Sequence, residues 1–183
     1  MSCGASPCRR ADTGRRVRRV VTVLLFMSAS QAVAAPEPSD SFEARAVSVI
    51  DGDSIIVERT DTDSGRKLRL RLYGIDAPEL DQPFGHHARR FVQRRVRGKV
   101  LRVSIKERLD ERRLGAIVHL PDDTVLNYAL LEAGYAWWQR HRVPESRRMQ
   151  LLQQQAREAD RGLWRRAQPV PPWIWRRDGG PDR

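Results

Sequence analysis

The period of the hydrophobic positions along this chain changes from two to about three and a half and back again. In residues 44–57, Val47, Val49, Ile55 and Val57 flank Asp51-Gly52-Asp53, which predicts strand, tight turn, strand. Residues 67–73 alternate cleanly, with Leu68, Leu70 and Leu72 on one face and Lys67, Arg69, Arg71 and Tyr73 on the other. This is a third strand with Arg71 turned away from the core, and Pro78 stops it from continuing in a sheet. Ala88, Phe91, Val92 and Val96 then recur at helical spacing, predicting a helix over 84–96 that Gly98 closes. Residues 100–105 and 114–120 read as two more strands, joined by a charged loop over 106–113. A second helix is expected over 124–133, capped by Asp123 or Thr124 and stopped at Gly134. A third is expected over 144–161, with Pro144 in its first turn and an apolar stripe of Met149, Leu152, Ala156 and Ala159. Five short strands with a helix between the third and fourth match the OB-fold, a five-stranded Greek-key barrel. The fold class is therefore mainly β with helices (α+β), the barrel carrying three helices.

The two ends differ from this middle. Arg15, Arg16, Arg18 and Arg19 precede an apolar run over 20–29, and Ala32-Val33-Ala34 follows it. That order is a signal peptide over 1–34, cleaved after Ala34, and its apolar run is too short for a comfortable bilayer span. A linker is expected over 35–43, the folded domain over 44–165, and a Pro/Trp-rich tail over 166–183 that packs its tryptophans on the domain. The chain of 183 residues carries a net charge of +11, and Lys67, Lys99 and Lys106 are its only lysines. Losing residues 1–34, with six arginines and one aspartate, removes five positive charges and leaves +6. A basic, arginine-rich chain suits an acidic partner such as nucleic acid, and arginine suits planar contact with phosphate. Cys3 and Cys8 both leave with the signal, so neither a disulfide nor a thiolate zinc site is expected. Secretion or a periplasmic location follows, without a stable membrane anchor.

The chemistry sits in two acidic clusters. The first is Asp51-Gly52-Asp53-Ser54 and the second is Asp76-Ala77-Pro78-Glu79, with Arg71 just ahead of it. Carboxylates at two turns suit a hard divalent cation, and a nearby arginine suits a phosphate. Taken singly, each has a plain reading: a hairpin turn, a strand end with solvated acids, a solvated arginine. Adjacent His86 and His87 face different directions on a helix and make no metal pair.

Together the clusters resemble the staphylococcal-nuclease-like (thermonuclease) family. The matching runs are Val49-Ile50-Asp51-Gly52-Asp53-Ser54, Arg71-Leu72-Tyr73-Gly74-Ile75-Asp76-Ala77-Pro78-Glu79, Gln82-Pro83-Phe84-Gly85, Asn127-Tyr128-Ala129-Leu130-Leu131-Glu132-Ala133-Gly134-Tyr135-Ala136-Trp137 and Gly162-Leu163-Trp164, in the family's order. The resemblance implies an OB-fold and Ca²⁺-dependent hydrolysis of DNA and RNA phosphodiesters without strong sequence specificity, leaving 3′-phosphate ends, by a monomer. It implies Asp53, Asp76 and the Ala77 carbonyl as metal ligands, with Asp51 acting through water. Glu79 would orient or deprotonate the attacking water. Arg71 would be one of two arginines on the scissile phosphate. The second is Arg112, with Arg113 as the alternative, because Leu114-Gly115 anchors the family's arginine-bearing loop. This chain has Asp110-Glu111 where the family has Tyr-Gly, Ser54 where Thr is more frequent, and Trp138-Gln139 where a nucleotide-facing tyrosine often follows. The fold alone would also serve a non-catalytic module that binds nucleic acid or protein.

Overall fold

The structure is a computed structural model and describes residues 40–62 and 65–179. The signal-peptide segment and most of the linker lie outside the described residues. Alternation along the chain builds β1 (Ser41–Val49), β2 (Ser54–Arg59), β3 (Lys67–Leu72), β4 (Ile75–Asp76), β5 (Val100–Arg108), β6 (Arg113–His119) and β7 (Trp137–Trp138). β1 starts at Ser41, so the last three residues read as linker are strand.

Strands β1, β2, β3, β6 and β5 close into a barrel in that order, with β3 and β6 parallel and the other neighbours antiparallel. This is the expected OB-type barrel. Ile55, Leu70, Leu72 and Leu101 are fully buried inside it, each such side chain stabilising the fold by about 1.5–3 kcal/mol. Val47 departs from the alternation. The β1–β2 register shifts between Ala46 and Ser48, and this bulge turns Val47 out to solvent.

The helices are α1 (Gly85–Val96), α2 (Leu126–Glu132), α3 (Arg147–Glu158) and α4 (Pro172–Asp178), with a short 3₁₀ turn at Gly162–Arg165. The first three are those expected, somewhat shorter. α2 begins after Val125 because Thr124 donates its N–H to Asp122 in the preceding turn. α3 starts at Ser146, whose hydroxyl accepts from the Met149 N–H, rather than at Pro144. The fourth helix was not foreseen. Pro172 at its first position and Gly179 in the left-handed region just past its end are helix boundary signals set within a proline-rich tail. Among the described residues, no helix is long and apolar enough to cross a membrane.

One buried polar side chain joins the barrel to the helices. Asn127 of α2 accepts from the Val118 N–H at 3.1 Å and donates to the carbonyls of Tyr73 (3.0 Å) and Ala116 (3.1 Å). It thereby fixes the end of β3, where the chain turns toward the second acidic cluster.

Candidate active site

Both acidic clusters are held by close approach to α1. A Cβ on Gly52 would lie 2.6 Å from the Cβ atoms of both Ala77 and Ala88, so only glycine lets the β1–β2 turn reach the β4 turn and α1. Its backbone is not in the left-handed region; space, rather than turn geometry, requires the glycine here. A Cβ on Gly85 would lie 1.7 Å from the Glu79 carbonyl oxygen, so α1 starts hard against the turn that carries Glu79. The Glu79 N–H donates to the Gln82 side chain, and the Gln82 N–H donates back to the Glu79 carbonyl. β4 is pinned from the other side by antiparallel pairing of Asp76 with Trp137 and Ile75 with Trp138.

Asp53, Asp76 and Arg71 meet at the centre. The Asp53 carboxylate accepts from the Ala77 N–H at 3.0 Å and from the Ser54 hydroxyl at 3.1 Å. Arg71 Nη2 lies 3.7 Å from Asp53, an ion pair without a hydrogen bond, and donates to Asp76 Oδ1 at 3.0 Å. Asp53 and Asp76 are buried, whereas the Arg71 side chain is 37% exposed. Burial pushes the Asp53 carboxyl up from 3.8 to about 7; Arg71 opposes this, Asp51 and Asp76 add to it, and the Ala77 N–H opposes it. Asp51 is spent on the loop, its Oδ1 accepting from the N–H groups of Asp53 (2.9 Å) and Ser54 (2.7 Å). Ala77 is buried beside these acids.

A cation fits here. Two buried carboxylates share a site with a third acid nearby, and the cost of their charge shows in the raised Asp53. Oxygen-only donors of this kind suit a hard ion rather than a soft one. Among the described residues, no three His, Cys, Asp or Glu side chains converge as a ready metal cluster, so carbonyl and water oxygens would complete the shell.

The hairpin arginines are placed differently from one another. β5 runs to Arg108, so the expected 106–113 loop shrinks to residues 109–112. Arg112 is exposed at its tip, and its guanidinium makes no hydrogen bond or ion pair among the described residues. Arg113 is the registered partner of Arg69 across the parallel β3–β6 pair, and it lines a shallow cavity with Ser54, Arg69, Arg71 and Leu109. The structure thus brings Arg113, and not Arg112, to the cavity that Arg71 shares. Asp110 holds Arg113 through its Nε at 2.5 Å and accepts both the Arg112 and Arg113 N–H groups, so this acid organises the turn. Trp138 is buried and donates its indole N–H to the Val143 carbonyl, so it offers no exposed ring at this position.

Residues 69–166 match the model of the staphylococcal nuclease homologues, a span holding Arg71, Asp76, Glu79 and both hairpin arginines. The chain belongs to that family. A protein of Escherichia coli O157:H7 named an uncharacterized endonuclease is 34% identical over 161 residues, 87% of this chain and 98% of that one. Protein ParB of Escherichia coli is 35% identical over 144 residues, 72% of this chain and 77% of the relative. The probable staphylococcal-like nuclease CAN1 of Oryza sativa subsp. japonica is 37% identical over 117 residues, 62% of this chain and 34% of that longer protein. As a member of the nuclease family the chain is a hydrolase whose substrates are nucleic acids.

One residue at the family's acid site is absent from the sequence reading. Arg176 of α4 donates Nη2 to Asp76 Oδ2 at 2.7 Å, Nη1 to Asp76 Oδ1 at 3.2 Å and Nη1 to Glu79 Oε1 at 2.6 Å. Its hydrogen bonds, first to Asp76 and then to Glu79, hold it protonated even more firmly than an ordinary arginine. The helix boundaries of α4 were readable. That its first arginine would meet an acid 100 residues earlier was not.

Proposed function

We propose that the mature chain is an exported, Ca²⁺-dependent nuclease that hydrolyses both DNA and RNA as a monomer. The observation that carries this is the junction of Asp53, Asp76 and Arg71, with Glu79 on the adjoining turn. Asp53, Asp76 and the Ala77 carbonyl would hold the ion, with Asp51 in support by fixing the loop. When bound, the ion supplies Lewis-acid stabilisation of the charge on the phosphoryl oxygens.

Arg71 places a half-exposed guanidinium beside the acids, where it can bind a phosphodiester oxygen and oppose the charge that grows in the transition state. A second arginine comes from the β5–β6 hairpin, and the cavity beside Arg71 favours Arg113 over Arg112. Glu79 orients the attacking water and accepts its proton at the carboxylate. Its turn is locked by Gln82 and Gly85, which supports a fixed approach to the phosphorus. Arg15, Arg16, Arg18 and Arg19, the apolar run over 20–29 and Ala32-Val33-Ala34 after it support export.

Glu79→Gln keeps the shape and removes the base. It is expected to lower kcat on single-stranded DNA by at least about 100-fold with substrate affinity nearly unchanged, measured in saturating Ca²⁺. A variant with wild-type kcat would remove Glu79 from the reaction.

A further inference from the structure

Helix α4 takes no part in the barrel, yet three contacts of the tail seat it against the turn that carries Glu79 and the strand paired with Asp76. Gln82 donates its side-chain N–H to the Val170 carbonyl at 2.6 Å, and Trp175 donates its indole N–H to Asp81 at 3.3 Å. Trp173 meets the Trp137 ring edge-on at 5.7 Å, and Trp137 is the strand partner of Asp76. Gln82 and Asp81 belong to the turn that carries Glu79. The seat is therefore independent of Arg176, and it delivers the Arg176 guanidinium to Asp76 and Glu79 together.

The consequence is electrostatic. Both Asp76 oxygens already accept N–H groups, from Arg71 and Arg176, and Glu79 is paired as well. A divalent cation arriving at Asp76 meets a positive charge in the place it would occupy, and like charges at such separations repel strongly in a partly buried site. The Arg176 side chain is 41% exposed, so solvent reaches the pair.

We infer that Arg176 is a tethered counter-ion that occupies the acid site in place of metal, so that a divalent cation binds only by displacing it and the tail sets the metal affinity. This rests on the metal reading of Asp53 and Asp76 given above.

The test uses the full mature chain and its Arg176→Gln variant, titrated calorimetrically with CaCl₂ in the absence of substrate. A half-buried ion pair of this kind lowers apparent affinity by the fraction of molecules latched, so the variant is expected to bind Ca²⁺ about fivefold more tightly. Equal dissociation constants for the two proteins would overturn the latch while leaving the metal reading standing. A variant with unchanged Ca²⁺ affinity but a much lower kcat would also overturn it, assigning Arg176 to the phosphate instead. Failure of both proteins to bind Ca²⁺ would remove the metal reading and the latch with it.

Discussion

Asp53 is the residue whose environment says most about the site. It is buried, accepts two hydrogen bonds, and still has its carboxyl pushed up to about 7, because burial and two acidic neighbours outweigh Arg71. Such a group costs the ligand-free fold stability that an amide of the same shape would not. Asp53→Asn is expected to raise the stability of the metal-free protein at pH 7.5 by about 1 kcal/mol or more. It should also abolish the stabilisation that Ca²⁺ gives the wild type. Thermal unfolding with EDTA and with CaCl₂ reads both effects; a Ca²⁺-induced rise in Tm of the variant equal to that of the wild type would remove Asp53 from the metal. The sequence already marked Asp53, Asp76, Arg71 and Glu79, since strand alternation and turn position are local properties. It could not mark Arg176, whose partners lie 97 and 100 residues away and are reached only through tertiary packing of the tail.

At the scale of elements, the β5–β6 hairpin decides which arginine reaches the cavity beside Arg71. The extension of β5 to Arg108 and the turn organised by Asp110 set the register, and register sends adjacent side chains to opposite faces. Arg113 thereby joins Arg69 and Arg71 on the outer face of the β3–β6 pair. Arg113→Ala is expected to lower kcat by about 100-fold, as for loss of one transition-state donor, and Arg112→Ala by less than about threefold. Cleavage kinetics that rank the two variants the other way would assign the role to Arg112. Alignment by Leu114-Gly115 points to Arg112, whereas Arg113 lines the cavity beside Arg71. The barrel strands and the first three helices, by contrast, were legible from period alone. Their limits shifted where side chains captured backbone groups, as Asp122 does before α2 and Ser146 does at α3. The bulge that expels Val47 from β1 has no local sequence mark; it follows from pairing with β2.

At the scale of the molecule, the barrel and its C-terminal extension divide the work. The barrel brings two turns distant in sequence against one helix, through the close approaches at Gly52 and Gly85. The tail returns to the same place and offers a cation of its own. The net charge of +6 over residues 35–183 favours a polyanionic substrate without specifying its sequence. The most direct measurement is cleavage of single-stranded DNA and of RNA by the purified mature protein, with CaCl₂ and with excess EGTA. Both substrates are expected to be cleaved with Ca²⁺ and spared in the chelator; cleavage undiminished by EGTA, or no cleavage of either substrate with Ca²⁺, would rule out a Ca²⁺-dependent nuclease.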